Sequence, residues 1–202
     1  MSIITKVCGI TRRQDLHVCA ESGVDWIGLN RWPKSPRYVE ADVADGLSRE
    51  ARQLGLTVVG LYVAPTAIEV ERVWDSGLFD LLQLYQLDVP LPDGVLALEP
   101  IAVQEFSDLQ PSMWARFQLY ETRVKQLGGA GRTFDWTLLP DQLPECSFIA
   151  GGLTPGNVSE LLGRVQPYGI DVASGVESSP GLKDRAKVRK LVEEVRRATR
   201  SE

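Results

Sequence analysis

The chain has 202 residues, of which 44% are hydrophobic and 24% charged, and a formal net charge of -5 at pH 7. This composition is typical of a globular protein with one well-buried core, and two independent domains would be cramped at this length. The acidic balance excludes the basic face of a nucleic-acid-binding protein. No stretch approaches the roughly 18 apolar residues of a membrane span, and the N-terminal sequence MSIITKVCGITRR lacks the pattern of a signal peptide. We therefore expect neither a nucleic-acid nor a membrane partner.

The cysteine and histidine content narrows the chemistry further. Cys8, Cys19 and Cys146 are odd in number and widely spaced, which argues against a disulfide framework and against a CxxC metal site. We expect a reducing, cytoplasmic compartment. His17 is the only histidine, so a mechanism here cannot rest on a pair of histidines.

Short apolar runs rich in β-forming residues alternate with amphipathic helical patterns along the chain. Apolar strands flanked by helices indicate a parallel sheet covered on its outer face. Alternation alone does not separate an open doubly wound sheet from a closed barrel, but eight units favour a single (β/α)8 TIM barrel domain over residues 1–202. The predicted strands are 3–7, 25–29, 57–63, 80–84, 95–98, 116–119, 147–150 and 169–173, and the clearest helices are 12–22, 40–54, 66–76 and 184–198.

Residues 86–94, QLDVPLPDG, are the only connection between the fourth and fifth predicted strands. Proline removes a backbone donor and restricts the residue before it, so we expect no regular helix there. The predicted barrel therefore lacks one outer helix after strand four.

In a barrel of this kind the functional residues lie at the C-terminal ends of the strands. Cys8 closes the first strand, and its thiolate could act as a general base if a neighbouring cation or a helix N-terminus lowers its pKa. The alternative is a buried structural cysteine, which is the interpretation that we give to Cys19 and Cys146. Arg37 follows the second strand and is suited to a bidentate grip on a carboxylate, although a solvated surface arginine would give the same pattern.

Glycine-rich loops provide the predicted anion site. The segments AGGLTP at 150–155 and DVASGVE at 171–177 follow the seventh and eighth strands. Exposed backbone amides in such loops bind phosphate, and a phosphate site after strands seven and eight recurs in this architecture. The GGAG segment at 128–131 is a weaker indication, because a flexible loop would look the same.

An acid to partner the cysteine is predicted at the end of the sixth strand. Glu121 should face the barrel mouth or lie one residue beyond it, where a carboxylic acid opposite Cys8 would complete an acid–base couple. A solvated surface glutamate is the alternative. Tyr120 is the other candidate, but an ordinary pKa near 10 makes it the poorer acid.

Taken together, these segments resemble phosphoribosylanthranilate isomerase of tryptophan biosynthesis, in order and over nearly the whole chain. The resemblance implies an Amadori rearrangement of the aminoaldose N-(5-phosphoribosyl)anthranilate to an aminoketose by acid–base chemistry, without a metal or an organic cofactor. The family contains monomers and homodimers. The matching segments are KVCGIT at 6–11, KSPRYV at 34–39, GGAGRTFDW at 128–136, AGGLTPGNV at 150–158 and DVASGVESSPGLKD at 171–184.

The resemblance also assigns roles to individual residues. Cys8 matches the base, Glu121 stands at the position of the acid, and Arg37 matches the arginine that faces the anthranilate carboxylate. Asp171 matches a polar, substrate-binding residue at the end of strand eight. The residues that match the phosphate loops are Gly151, Gly152, Ser174 and Gly175.

The chain departs from the family pattern at three places. Glu121 stands where the family usually has aspartate. The turn after strand four is usually QLHG, and here it is QLYQ at 83–86. Asn30 replaces a common aromatic residue after strand two. These departures leave open a sugar-phosphate-binding barrel of the same lineage with lost or altered catalysis, for example an isomerase or epimerase of another ribose phosphate. A structural or interaction protein on a degenerate barrel is a third hypothesis.

Overall fold

The computed structural model describes residues 2–122, 133 and 135–200. Its centre is a closed barrel of eight parallel strands in sequence order, and the barrel closes where β1 pairs with β8, with Lys6 beside Asp171. The predicted TIM barrel is confirmed. The strands are β1 (Ile4–Cys8), β2 (Trp26–Asn30), β3 (Thr57–Val63), β4 (Leu81–Tyr85), β5 (Ala97–Val103), β6 (Phe117–Thr122), β7 (Ser147–Ile149) and β8 (Gly169–Val172).

The outer layer of helices is incomplete on one side. The helices are α1 (Arg13–Ser22), α2 (Ala41–Gln53), α3 (Ala67–Asp75), α4 (Val158–Leu162) and α5 (Arg185–Arg200). No helix forms between β4 and β5, as the prolines predicted. The strands β5 and β6 are also joined without an α-helix, since only the 3-10 turn Phe106–Asp108 lies between them. None of the described helices is long and apolar enough to cross a lipid bilayer.

Three features of the strands differ from the prediction. The strand predicted at 95–98 begins two residues later and continues through Glu99 and Pro100, because pairing with β6 overrides the break in the apolar pattern. The strand predicted to end at residue 119 extends to Thr122, so Glu121 lies inside β6. An unpredicted hairpin, β9 (Glu177–Ser179) with β10 (Leu182–Lys183), follows β8.

The barrel interior is apolar at the N-terminal ends of the strands and polar towards their C-terminal ends. The apolar half is a cluster in which Phe148 packs against Trp26, with ring centroids 5.0 Å apart, and against Phe117 and Tyr168. The polar half contains Lys6 and other buried side chains that form the candidate site. The remaining buried members of the apolar cluster are Val59, Leu81, Leu98, Leu119 and Ala150.

We predict that Phe148→Ala lowers the free energy of unfolding by about 3–5 kcal/mol, because it opens a cavity among interior rings that cannot close around it. Urea unfolding followed by circular dichroism measures this change. Phe106→Ala is the control, because that side chain is 59% exposed, and it should change the free energy by less than about 0.5 kcal/mol. Equal effects of the two substitutions would contradict the interior packing of Phe148.

Candidate active site

A buried lysine lies at the centre of the barrel mouth. Lys6 is on β1, and its Nζ donates to Asp171 Oδ2 at 2.8 Å and to Gln83 Oε1 at 2.9 Å. Burial by itself would lower the pKa of Lys6, but the negative charges of Asp171 and of a Cys8 thiolate outweigh it and raise the pKa above its ordinary value. Lys6 therefore stays protonated and fixes its two partners.

Asp171 keeps one oxygen free for a ligand. Its Oδ1 is buried and has no hydrogen-bond partner among the described residues. An unpaired buried acceptor is costly unless a ligand or a water satisfies it. This oxygen, at the end of β8, is thus a candidate acceptor for a substrate hydroxyl or amine.

The hydrogen bonds continue from Lys6 to Glu121 on β6. Gln83 Nε2 donates to Tyr85 Oη at 3.1 Å, and Tyr85 Oη donates to Glu121 Oε2 at 3.1 Å. Burial raises the pKa of Glu121 to about 7, and the negative charge of Asp171 adds to this against the opposing influence of Tyr85 and Lys6. A carboxyl with a pKa near neutrality is suited to act as a general acid.

Cys8 ends β1 beside this network. A Cβ on Gly28 of β2 would lie 2.7 Å from Cys8 Sγ, so only glycine at position 28 leaves room for the thiol. Burial is the largest influence on the thiol and raises the pKa of Cys8 above its ordinary value, although the neighbouring Lys6 acts against it. A neighbouring cation, Lys6, is therefore present, but it does not lower the pKa of Cys8 overall.

A second buried network holds Arg37. Its Nε and Nη2 donate to the two carboxylate oxygens of Glu177 at 2.9 and 2.7 Å, which leaves Nη1 without a hydrogen bond to the described residues. Lys183 Nζ donates to Glu177 Oε1 and to the backbone carbonyl of Cys8, both at 2.7 Å. Burial would raise the pKa of Glu177, but Arg37 and Lys183 together hold it below its ordinary value. Arg37 is thus a fixed, buried cation and not a solvated surface arginine.

The two glycine loops meet at the predicted anion site. A Cβ on Gly175 would lie 1.8 Å from the carbonyl oxygen of Leu153, so the loop after β8 packs directly on the loop after β7. Gly152 adopts a left-handed φ of 63°, which glycine allows without strain. The backbone N–H groups of Gly152, Ser174 and Gly175 donate to no residue in the described ranges. These amides are the donors that a phosphate needs.

The structure separates the remaining candidates. Tyr120 is fully buried on the outer face of the barrel, where its Oη donates to the carbonyl of Gln110 at 2.7 Å and its pKa is raised, mainly by burial, to about 12. Cys19 is buried inside α1 and Cys146 precedes β7, so neither reaches the mouth. The segment Gly128–Gly131 lies outside the described residues.

Sequence reasoning missed the residues that support the site. These side chains contact predicted site residues, or contact one another as Gln83 does. They belong to an apolar strand or to a loop read only for its glycines. A strand places alternate residues on one face, and this alternation was the available signal that Lys6 and Gln83 face the barrel interior. The missed residues are Lys6, Gln83, Tyr85, Glu177 and Lys183. Within the described ranges, no three His, Cys, Asp or Glu side chains form a group that could hold a metal ion.

Comparison with known proteins gives one consistent family. Residues 5–194 match the family model described as N-(5'phosphoribosyl)anthranilate (PRA) isomerase. A protein named N-(5'-phosphoribosyl)anthranilate isomerase from Pseudomonas syringae pv. syringae is 38% identical over 195 residues, covering 93% of this chain and 94% of the relative. One of the same name from Azotobacter vinelandii is 38% identical over 205 residues, covering 98% and 99%.

Solved structures give the same result. Phosphoribosyl anthranilate isomerase from Thermotoga maritima has a TM-score of 0.83 at 28% identity, covering 96% of this chain and 98% of that one. A phosphoribosyl anthranilate isomerase in complex with reduced 1-(o-carboxyphenylamino)-1-deoxyribulose 5-phosphate has a TM-score of 0.80 at 26% identity, with the same coverage. The chain belongs to the N-(5'-phosphoribosyl)anthranilate isomerase family.

Proposed function

We propose that this protein catalyses the Amadori rearrangement of N-(5'-phosphoribosyl)anthranilate to 1-(o-carboxyphenylamino)-1-deoxyribulose 5-phosphate in tryptophan biosynthesis. The observation that carries the proposal is the position of Cys8 and Glu121 at one barrel mouth, beside two glycine loops with free amides. Membership of the isomerase family supports the choice of substrate.

The reaction needs one acid and one base. Glu121 protonates the furanose ring oxygen, the bond from that oxygen to C1' breaks, and a Schiff base forms between C1' and the anthranilate nitrogen. The Cys8 thiolate then takes the proton from C2', and the electron pair of that C–H bond gives an enolamine. The enolamine tautomerises to the C2' ketone, so substrate and product contain the same number of protons. Glu121 has then lost one proton and Cys8 has gained one, and proton exchange with solvent restores both side chains. Both steps are proton transfers, for which two side chains on opposite sides of the substrate suffice.

The other predicted residues bind the substrate in this scheme. The phosphate accepts hydrogen bonds from the loop amides of Gly151, Gly152, Ser174 and Gly175. The anthranilate carboxylate pairs with the Nη1 group of Arg37, and Asp171 Oδ1 accepts from a hydroxyl or amine of the substrate. A ligand binds more strongly to a buried cation or a buried unpaired acceptor than to exposed groups, because the local dielectric constant is lower there.

The cellular setting is part of the same proposal. We place the protein in a reducing cytoplasm, in keeping with three free cysteines.

A single domain over residues 1–202 is supported by the pairing of β1 with β8 and by the packing of α5 on α1 and α4. The chain acts as a monomer or homodimer, since a Thermotoga maritima relative is described as dimeric.

The second candidate function is a barrel of this family that binds a sugar phosphate without isomerising it. Glu121 in place of aspartate favours it, because a carboxyl displaced by about 1 Å can cost about 100-fold in rate. The hydrogen bond from Tyr85 to Glu121 counts against it, because it holds the longer side chain in the mouth. The activity measurements below decide between the two.

We predict that Cys8→Ala abolishes turnover of freshly prepared phosphoribosylanthranilate, followed as loss of anthranilate-type fluorescence, because it removes the thiolate that takes the C2' proton. The control is Cys146→Ala, which removes a thiol outside the mouth and should keep near-full activity. Folded Cys8→Ala protein with near-full activity would make Cys8 a core residue. Inactive but phosphate-binding wild-type protein would favour the second candidate function.

The pH dependence of kcat/KM follows from the two pKa values. The reactive form needs a Cys8 thiolate and a protonated Glu121, so the pair together holds one proton. The pKa of Glu121 is about 7, and the pKa of Cys8 lies above its ordinary value of 9.0. The one-proton form therefore accumulates as the pH rises through about 7 and disappears only when the thiol also ionises.

We accordingly predict that kcat/KM rises with an apparent pKa of about 7 and falls only in the alkaline range. Initial rates between pH 5 and 10 measure this profile. Glu121→Gln should remove the limb near pH 7 and leave any limb from the substrate phosphate, whose pKa is about 6. A limb near pH 7 that survives in Glu121→Gln assigns that titration to another group.

We predict that Arg37→Ala raises KM by about 10-fold to 100-fold, a factor typical of a lost hydrogen bond to a charged group, and lowers kcat less. Steady-state kinetics and titration with the reduced product analogue measure this change. Arg49→Ala is the control, because Arg49 pairs with Asp45 on an exposed face of α2. A loss of kcat with unchanged KM would contradict a binding role for Arg37.

A further inference from the structure

The hydrogen-bond chain across the barrel mouth has a fixed direction. Lys6 can only donate, so Gln83 must present its amide oxygen to the lysine and its amide nitrogen to Tyr85. The phenol oxygen of Tyr85 accepts from that nitrogen, which leaves its single hydrogen for Glu121 Oε2, 3.1 Å away. The lysine thereby sets the direction of every bond as far as Glu121.

This direction decides which oxygen of Glu121 carries the acid proton. Oε2 accepts the phenol hydrogen of Tyr85. In a protonated carboxyl group the carbonyl oxygen is a better acceptor than the hydroxyl oxygen, so Oε2 is the carbonyl oxygen. The acid proton then resides on Oε1, which has no hydrogen-bond partner among the described residues. The free oxygen is the one that a substrate can reach.

The geometry points to Tyr85 as the positioning residue of the acid, which holds Glu121 so that its Oε1 hydrogen faces the furanose oxygen of the substrate. This inference rests on the proposed function of Glu121. It also links two of the departures from the family pattern, because residues 85 and 121 are in direct contact. The tyrosine on β4 reaches the acid past β5, where the register partner of Glu121 is the small residue Ala102.

The charged surroundings leave Tyr85 a donor throughout the working range of pH. Burial, together with the nearby Glu121, Cys8 and Asp171, raises the pKa of Tyr85 well above its ordinary value. The described groups that act on Glu121 are Tyr85 on β4, Asp171 on β8 and Lys6 on β1. Because the phenol does not ionise, its bond to Glu121 favours the carboxylate by a constant amount and lowers the pKa of Glu121.

Tyr85→Phe tests this role, because it removes only the phenol oxygen. Loss of a hydrogen bond to an ionised group should raise the pKa of Glu121 by about one unit. Carbon-13 NMR titration of glutamate-labelled protein measures that pKa without any substrate, and the resonance missing from Glu121→Gln identifies the residue. The limb of kcat/KM near pH 7 should move upwards by the same amount.

The rate below that limb separates placement from ionisation. At low pH both groups are protonated, and the population of the reactive form depends only on the Cys8 pKa. A lower kcat/KM of Tyr85→Phe in this range therefore reports misplacement of the acid, and we expect a loss of about 10-fold to 100-fold. In the Glu121→Gln background the same substitution should change kcat/KM by less than about twofold, since a residue that acts through Glu121 has nothing left to position.

Two further variants keep the test specific. Tyr120→Phe removes a buried phenol that donates to a carbonyl on the outer face of the same barrel, so it should lower stability and leave the titration of Glu121 unchanged. Tyr85→His keeps a ring nitrogen that can donate when neutral, and it should return the Glu121 pKa towards the wild-type value.

The outcomes distinguish this inference from the proposed function. An active wild-type enzyme whose Glu121 titration and low-pH rate are the same in Tyr85→Phe would overturn the positioning role and leave the isomerase intact. An inactive wild-type protein whose Glu121 pKa still rises in Tyr85→Phe would contradict the proposed isomerase activity. It would still support the hydrogen bond by which Tyr85 positions the Glu121 carboxyl. Equal losses in the wild-type and Glu121→Gln backgrounds would make Tyr85 a structural residue.

Discussion

The candidate site depends on a single buried ion pair, that of Lys6 with Asp171. Burying an unpaired ammonium group costs several kcal/mol, and the barrel compensates this charge with a carboxylate directly beside it in register and with an amide oxygen from β4. While Lys6 stays charged it can only donate, so Asp171 and Gln83 must both accept hydrogen bonds from it. The orientation of Gln83, and through it of Tyr85, follows from that pair. A short network starting from one cation thus organises the polar half of the barrel.

Two such networks flank Cys8. Lys6 lies on one side of Cys8, and Lys183 holds the backbone carbonyl of Cys8 on the other. The second network joins Arg37, in the loop after β2, to Glu177, the first residue of β9. Lys183 contacts both Glu177 and the carbonyl of Cys8, so Arg37 and Cys8 share one support. Burial outweighs the neighbouring cations and raises the pKa of Cys8 above its ordinary value. The Cys8 thiol therefore holds its proton more tightly than the Glu121 carboxyl, whose pKa is about 7.

The sequence predicted the barrel and the ends of its strands better than it predicted contacts between side chains. Apolar runs, prolines and glycine loops are local signals, and the missing helix after strand four was correctly identified from the prolines at 90 and 92. The fifth strand was predicted too short, because Glu99 and Pro100 interrupt its apolar pattern. Lys6 and Asp171 are 165 residues apart, and no local pattern predicts that they meet. The catalytic roles of Cys8 and Glu121 stay predictions, since distances fix their neighbours and not their chemistry.

The uneven outer layer has a consequence for local stability. From β4 to β6 the described connections contain no α-helix, and loop residues such as Leu109 and Val95 cover the strands instead. Irregular loops have fewer cooperative backbone hydrogen bonds than helices, so segments covered by them open with a lower free energy than the rest of a domain. Amide protons of β5 and β6 should therefore exchange with solvent before those of β1 and β8. Glu121 then belongs to a part of the barrel that opens more readily than the part that contains Cys8.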